Sequence, residues 1–422
     1  LEVHSFVKYE QYNEYKLPRV INGRVDFAKI IFGPLIKSIE RVVYKIPAFV
    51  KSIPVNDRPD YISKVVGGSG RIVATDYSSY EASFVPLFSW AIEYEIYVFV
   101  AGRFIASIVC KSFYLFNTCI FRDFRIHILA KRMSGDMNTS LGNGVSNLVV
   151  ITFIVWRKSH FWIVSIVVEG DDSLFRIPPG LHIGTDDFAE FGLIVKIEES
   201  SDCNLASFCG NIFSVVDLNQ LVDPGRIFRR FGYIDRKYAS ARKTMKLGLL
   251  RAYAFSIYYM YHGCPMVGAL ARYLLRVTRG VYAVMSSINR HKFAETDDIP
   301  ATEERMFTLY PPSEVGIDSR RIVSLLFGYS LDEQLAVERF LDAQTELKML
   351  DIPIVLNKCN DDSRDYFAQH QVFEGMDVNK IAPDPIYRMS ELVRTANFAI
   401  ANHTDADRDV FWDVRPAMAR CA

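Results

Sequence analysis

The stretch Val168-Glu169-Gly170-Asp171-Asp172-Ser173-Leu174-Phe175 constrains this chain more than any other. Apolar, β-favouring residues from Phe161 to Val168 lead into it, and Leu174 to Ile177 lead out. A strand, a tight Gly-Asp-Asp turn and a second strand are the pattern of a β-hairpin. The two adjacent carboxylates at its tip repel each other, and a divalent cation would relieve that repulsion. Hard oxygen donors suit Mg²⁺ or Mn²⁺. Gly and Asp are also favoured in ordinary solvated turns, so the surroundings of this tripeptide must decide its meaning.

With 422 residues, half of them hydrophobic, the chain can bury a sizeable core in two or three domain-sized units. Lys and Arg balance Asp and Glu at 49 against 49, so no global field marks a nucleic-acid partner. Seven Cys form no C-x-x-C pair, which points to reduced, mostly buried thiols in a cytosolic setting and to no structural zinc. The longest apolar runs, such as Asn147 to Trp156, are broken by Arg157, Lys158 and His160, so no membrane span is expected. An opening Leu1 suits a piece of a longer translated product.

Residues 1–71 are locally basic, with 12 Lys/Arg against 7 Asp/Glu. Around Lys8-Tyr9-Glu10 and Lys16-Leu17-Pro18-Arg19-Val20-Ile21 the apolar alternation is poor, which predicts an extended arm. Lys16 and Arg19 could grip a triphosphate, though a solvated basic face has the same composition. Arg71 to Tyr77 reads as a buried strand that carries Asp76 at its end, with Glu81 five residues on. Such an acid needs a partner, or serves as a helix N-cap. Residues 84–126 are rich in aromatics and read as a core helix followed by strands.

Ser134-Gly135 predicts a flexible loop, and a helix is expected from about Met137 to Trp156. Thr139, Asn143 and Asn147 fall four apart and share one helix face, where they want polar partners. Gly142 and Gly144 would let another backbone come close, such as a nucleic-acid strand. Further on, Thr185 to Glu190 predicts a short helix closed by Gly192, and Leu193 to Ile197 a strand bearing Lys196. Phe208-Cys209-Gly210-Asn211 reads as a second hairpin turn, and Arg226 to Arg251 holds nine Lys/Arg against one acid, suited to a phosphate backbone. Ser330-Leu331-Asp332-Glu333 is a capping box in a largely helical C-terminal part.

If the strand ending at Asp76 and the hairpin carrying Asp171 and Asp172 are neighbours in one antiparallel sheet, three carboxylates that are distant in sequence converge. Two-metal chemistry needs that kind of convergence. The ordered set Asp76-x4-Glu81, Ser134-Gly135-x3-Thr139-x3-Asn143 and Gly170-Asp171-Asp172 resembles motifs A, B and C of the RNA-dependent RNA polymerases of positive-strand RNA viruses. The string Met133 to Asn143 is similar to the tombusvirus-like and noda-like branch. Gly192 to Lys196 resembles motif D, Phe208-Cys209-Gly210 motif E, and Lys8 to Ile21 motif F.

The resemblance implies an α+β right-hand fold: partial fingers over 1–71, palm over 72–83 and 127–217, a fingers insertion over 84–126, and a thumb with a helical region over 218–422. It implies that Asp76, Asp171 and Asp172 bind two Mg²⁺ or Mn²⁺ ions. Glu81, Ser134, Thr139 and Asn143 would contact the ribose, Gly135 would belong to the same substrate-binding loop, Lys16 and Arg19 would hold the incoming triphosphate, and Lys196 would act as general acid. RNA template, product duplex and NTPs are the implied partners, together with other viral replicase proteins at membrane-associated replication complexes in the host cytoplasm. Glu81 departs from the family's usual Asp, and the short N-terminal part predicts truncated fingers without motif G. Two other readings stay open: a reverse transcriptase, and an inactive relative that binds RNA as a scaffold.

Overall fold

The structure, a computed structural model, describes residues 2–8, 19–68, 70–129, 131–163, 165–230, 238, 241–284, 303–312, 314–348, 350 and 352–358. Its contacts divide the chain into two units that meet in sequence between Leu221 and Val222.

The first unit holds two four-stranded sheets. In one, β1 (Glu2–Val7) lies between β2 (Val20–Arg24), antiparallel to it, and β4 (Phe116–Ile120), parallel to it, and β5 (Arg125–Leu129) closes the far edge. Of the arm expected near the N-terminus, Val20 and Ile21 belong to β2, which finds its ladder on β1, and residues 9–18 lie outside the described residues. Two helices follow. In α1 (Asp26–Val43), Ile36, Ile39 and Val43 recur at helical spacing and are buried, and α2 (Arg58–Val66) buries Ile62 and Val66.

The second sheet has the order β6-β7-β3-β8, with β3 (Arg71–Tyr77), β6 (Ile166–Glu169), β7 (Asp172–Ile177) and β8 (Val195–Ser200) antiparallel throughout. Strand alternation sorts its side chains into two cores. Ile72, Ala74, Val167 and Leu174 pack with Ile62 and Val66 of α2 and with Phe208 and Phe213. Val73, Tyr77, Val168 and Phe175 pack with a long helix introduced below. A small hairpin, β9 (Ile212–Ser214) with β10 (Asn219–Leu221), ends the unit.

Between β3 and β4 run α3 (Tyr80–Ser83), α4 (Pro86–Ser89), a π-helical turn (Trp90–Tyr94), α5 (Glu95–Ala101) and α6 (Arg103–Phe113). The aromatics here are not uniformly core. Phe84, Tyr97, Phe113 and Tyr114 are buried, whereas Phe99, Phe104 and Phe116 lie exposed on outward faces. The π-helical turn carries a buried Glu93, whose carboxylate accepts from Arg132, Tyr97, Tyr114 and Asn138.

The long helix α7 (Thr139–Ser159) continues through Arg157 and Lys158. It is long and apolar enough to cross a membrane, which the charges at its end had argued against, but 61% of its apolar window is buried inside this unit. Helix α8 (Thr185–Ala189) then leads through Gly192, at φ 72°, into β8.

The second unit is helical. It holds α9 (Pro224–Arg230), α10 (Lys243–Tyr261) and α11 (Val267–Val277), then helices at Glu303–Leu309, Ile317–Phe327, Leu331–Asp342 and Pro353–Asn357. Ser330 and Glu333 form the expected capping box, each side chain accepting the other's backbone N–H. The basic stretch is only partly a surface. Arg242, Lys243 and Lys246 are exposed at the start of α10, but Arg251 is buried and donates to the carbonyls of Leu275 and Thr278 at 3.0 and 2.9 Å. Arg236 and Lys237 lie outside the described residues, as does all of the tail beyond Lys358.

Candidate active site

Strand β3 carries Asp76 as its one exposed residue, next to its buried C-terminal Tyr77. Beside it, β7 pairs in a register that sets Thr75 opposite Ser173, with their hydroxyls hydrogen bonded. The same register, carried one residue on, sets Asp76 across from Asp172. On the other flank Asp76 is paired with Lys196 of β8. Between Glu169 and Asp172 the chain reverses over Gly170 and Asp171, and Gly170 takes φ 64°, the conformation a type II′ hairpin turn needs at its first central position. By alternation Asp76 and Asp172 share the sheet face that carries Ile72, Ala74 and Leu174, while Asp171 sits in the turn itself.

Electrostatics show that these acids are neighbours. Burial pushes the Asp172 carboxyl up to about 6, and the charges of Asp171, Asp76 and Glu169 add to that, against a hydrogen bond from Cys209. Burial also raises Asp171, with contributions from Glu81 and Asp76, and Arg19 opposes them. The acids do not form a closed cage: among the described residues no three His, Cys, Asp or Glu side chains enclose a cation position. What the fold supplies is a set of carboxylate oxygens at one end of the sheet, half-desolvated and mutually repelling. That donor chemistry fits a hard divalent ion.

The polar face of α7 is turned to this end of the sheet. Asn147, fully buried, donates from Nδ2 to the carbonyls of Asp171 at 2.9 Å and Gly170 at 3.3 Å, and its Oδ1 accepts from the Tyr77 hydroxyl at 3.0 Å. One side chain thus ties helix, hairpin tip and strand end together. One turn earlier, Asn143 Nδ2 donates to Glu81 Oε1 at 3.2 Å, and the buried Asn143 Oδ1 has no partner. Glu81 reaches that position because Ser79 adopts a left-handed conformation, φ 52°, that folds α3 back from β3.

The close approach that the two glycines of α7 permit is made by protein, and at Gly144 it includes the backbone of the Gly170 turn. A Cβ on Gly144 would stand 3.0 Å from the Phe49 ring and 3.5 Å from the Gly170 nitrogen, and one on Gly142 would overlap the Arg132 guanidinium. Their absent side chains let the helix settle against the hairpin turn and a buried ion pair.

Other anticipated residues have structural partners. Ser134 Oγ donates to the Val20 carbonyl at 3.0 Å, and Gly135 N–H donates to Asn22 O at 3.0 Å, with no room for a Cβ at Gly135. Thr139 Oγ1 donates to the Met133 carbonyl at 2.8 Å. Lys196 is exposed and its Nζ bonds Glu198 Oε1 at 2.5 Å, a pairing that raises the lysine pKa. Arg19 is exposed immediately before β2, and Lys16 lies outside the described residues. The turn at Cys209 and Gly210, with φ of 53° and 70°, is the expected hairpin turn; the approach of the Cys209 thiol to Glu169 Oε2, at 3.9 Å, was not foreseen. Nor was Arg58, whose guanidinium pairs with Glu169 at 2.8 Å beside the acidic turn. Nothing local in the sequence signals either contact.

Asp76 thus lies one residue from the end of a central strand, with an Asp-Asp hairpin beside it and a polar-faced helix behind. Residues 7–245 match the model of a family described as RNA dependent RNA polymerase. The match covers more than half of the chain, and the chain belongs to this family. Among solved structures it is similar to the insertion-loop deletion mutant of the RNA-dependent RNA polymerase of a human picobirnavirus, at 15% identity and a TM-score of 0.49, over 61% of this chain and 54% of that one. It therefore spans about half the length of that polymerase. No curated protein matches the chain. Neither comparison names the tombusvirus-like or noda-like branch.

Proposed function

We propose that this chain carries out template-directed RNA synthesis, adding NTPs to the 3′ end of a growing RNA for viral genome replication. The observation that carries the reading is the pairing of β3 with β7, Thr75 opposite Ser173, which brings the end of β3 that bears Asp76 beside the Gly170-Asp171 turn held by Asn147. Asp76, Asp171 and Asp172 would hold two divalent ions, Mg²⁺ or Mn²⁺, which when bound neutralise the triphosphate and activate the attacking 3′-hydroxyl. Polymerases of this family generally use divalent ions.

Nucleotidyl transfer asks the protein mainly for positioning and charge neutralisation. Arg19, close enough to lower the Asp171 pKa, covers the incoming triphosphate together with Lys16. The orphaned Asn143 Oδ1 is an acceptor awaiting a donor, and the ribose 2′-hydroxyl supplies one. Glu81, fixed by the other end of that amide, stands beside it. Lys196 keeps its proton in the Glu198 pairing and would deliver one to the departing pyrophosphate. Arg242, Lys243 and Lys246 offer phosphate contacts to the product duplex. Family membership suggests work in the host cytoplasm, at membrane-associated replication complexes with other viral replicase proteins.

Asp171→Ala tests this reading. It removes a half-buried carboxylate at the tip of the hairpin turn, so circular dichroism should be unchanged while NTP incorporation on a primed RNA template falls by at least about a thousandfold. Wild-type incorporation by this variant would refute the proposal. RNA binding indifferent to Mg²⁺, with no incorporation by the unmutated chain, would favour an inactive scaffold. A wild-type preference for dNTPs would favour a reverse transcriptase.

A further inference from the structure

Arg24 and Asp136 are 112 residues apart in sequence, and their side chains are 0% and 1% exposed. Arg24 donates from Nε to Asp136 Oδ1 at 2.6 Å and from Nη2 to Oδ2 at 3.0 Å, while Nη1 donates to Asn117 Oδ1 at 2.5 Å. A buried ion pair is a weak source of stability, because desolvation offsets most of the attraction and an apolar pair would serve as well. Its distinguishing property is geometry. A two-pronged fork with a third, neutral arm admits only one relative placement of the segments it joins.

Those segments are the two that would hold the nucleotide. Arg24 closes β2, five residues after Arg19. Asp136 lies in the loop that opens α7, seven residues before Asn143. The same junction is stitched by Gly135 N–H to Asn22 O and by Ser134 Oγ, which donates to Val20 O and accepts from Asn22 N–H at 3.3 Å. We infer that Arg24 and Asp136 are positioning residues: they lock the triphosphate-binding strand to the sugar-reading helix, and so set the spacing at which one NTP is gripped by both its phosphates and its ribose. This rests on the function proposed above.

The lock acts on binding that is the same in the ground state and the transition state, so its loss falls on KM. In Asp136→Asn, which keeps the shape and loses the charge, KM for NTP rises about tenfold while kcat stays within about threefold. Arg24→Lys, which keeps the charge and loses the fork, gives the same rise. A purely structural role predicts the opposite split: a smaller folded fraction, a lower apparent kcat and an unchanged KM. Thermal unfolding identifies the folded variants. Should neither fold, Asn117→Ser, which shortens only the neutral arm, raises KM about two- to threefold. Folded variants with wild-type KM overturn the inference and leave the proposed function standing. An unmutated chain that incorporates no NTP overturns both.

Discussion

Asn147→Ala is the sharpest perturbation of the framework around the acidic turn. The side chain is fully buried and makes three hydrogen bonds, to the Tyr77 hydroxyl and to the carbonyls of Gly170 and Asp171. Truncation strands the Tyr77 hydroxyl in a site where it is only 7% exposed. A buried hydroxyl without a partner costs about 1–3 kcal/mol, and each half-buried carbonyl that loses its donor about 0.5–1 kcal/mol. The total is about 2–5 kcal/mol, which for a unit of this size lowers Tm by about 4–20 °C. The larger effect is on activity. Without its anchor the turn is free to shift, and a misplacement of about 1 Å at reacting groups costs about a hundredfold. Thermal unfolding followed by circular dichroism measures the first quantity, and primer extension well below the new Tm measures the second. A variant within about 0.5 kcal/mol of wild type that extends primers within about threefold would show that the turn is held by its own hairpin and that the three bonds are incidental.

Two further predictions concern charge. Asp172 is raised to about 6 in the fold, whereas an unfolded Asp titrates near 3.9, so the group favours the folded state fully below that lower value and loses its contribution as pH rises through about 6. A divalent ion competes with that proton, so Mn²⁺ should raise Tm more at pH 7.5 than at pH 5, and equal shifts at the two pH values would contradict the assignment. Glu93→Gln leaves the buried Arg132 guanidinium without a counter-charge and should cost about 3–5 kcal/mol in denaturant unfolding; a loss under 1 kcal/mol would mean that the tyrosines around it suffice.

The elements that the sequence announced are those whose causes are local. Gly170 before two acids, Cys209-Gly210 between apolar strands, Gly192 after a short helix and Ser330 three residues before Glu333 each encode a turn or cap within four residues, and each forms. The expected ends were less exact: α7 begins two residues later and ends three residues beyond Trp156, because tertiary burial of Val150, Ile151 and Ile154 carries the helix past the charges. Helix α1 went unnoticed because its apolar stripe, interrupted by Pro34, gains meaning only against the core it packs on.

The sequence by itself therefore determined which chemistry is present: three acids, their order, and the hairpin that carries two of them. Only the tertiary structure decided which of the polar residues near them bind protein and which are left over. Ser134, Gly135 and Thr139 are engaged with backbone, Gly142 and Gly144 make way for Arg132 and the Gly170 turn, and Asn143 keeps one buried acceptor unsatisfied. The reason is physical. A turn is selected by the dihedral preferences of its own residues, whereas a buried donor is matched to an acceptor 60 to 110 positions away by packing, and no local pattern records that match.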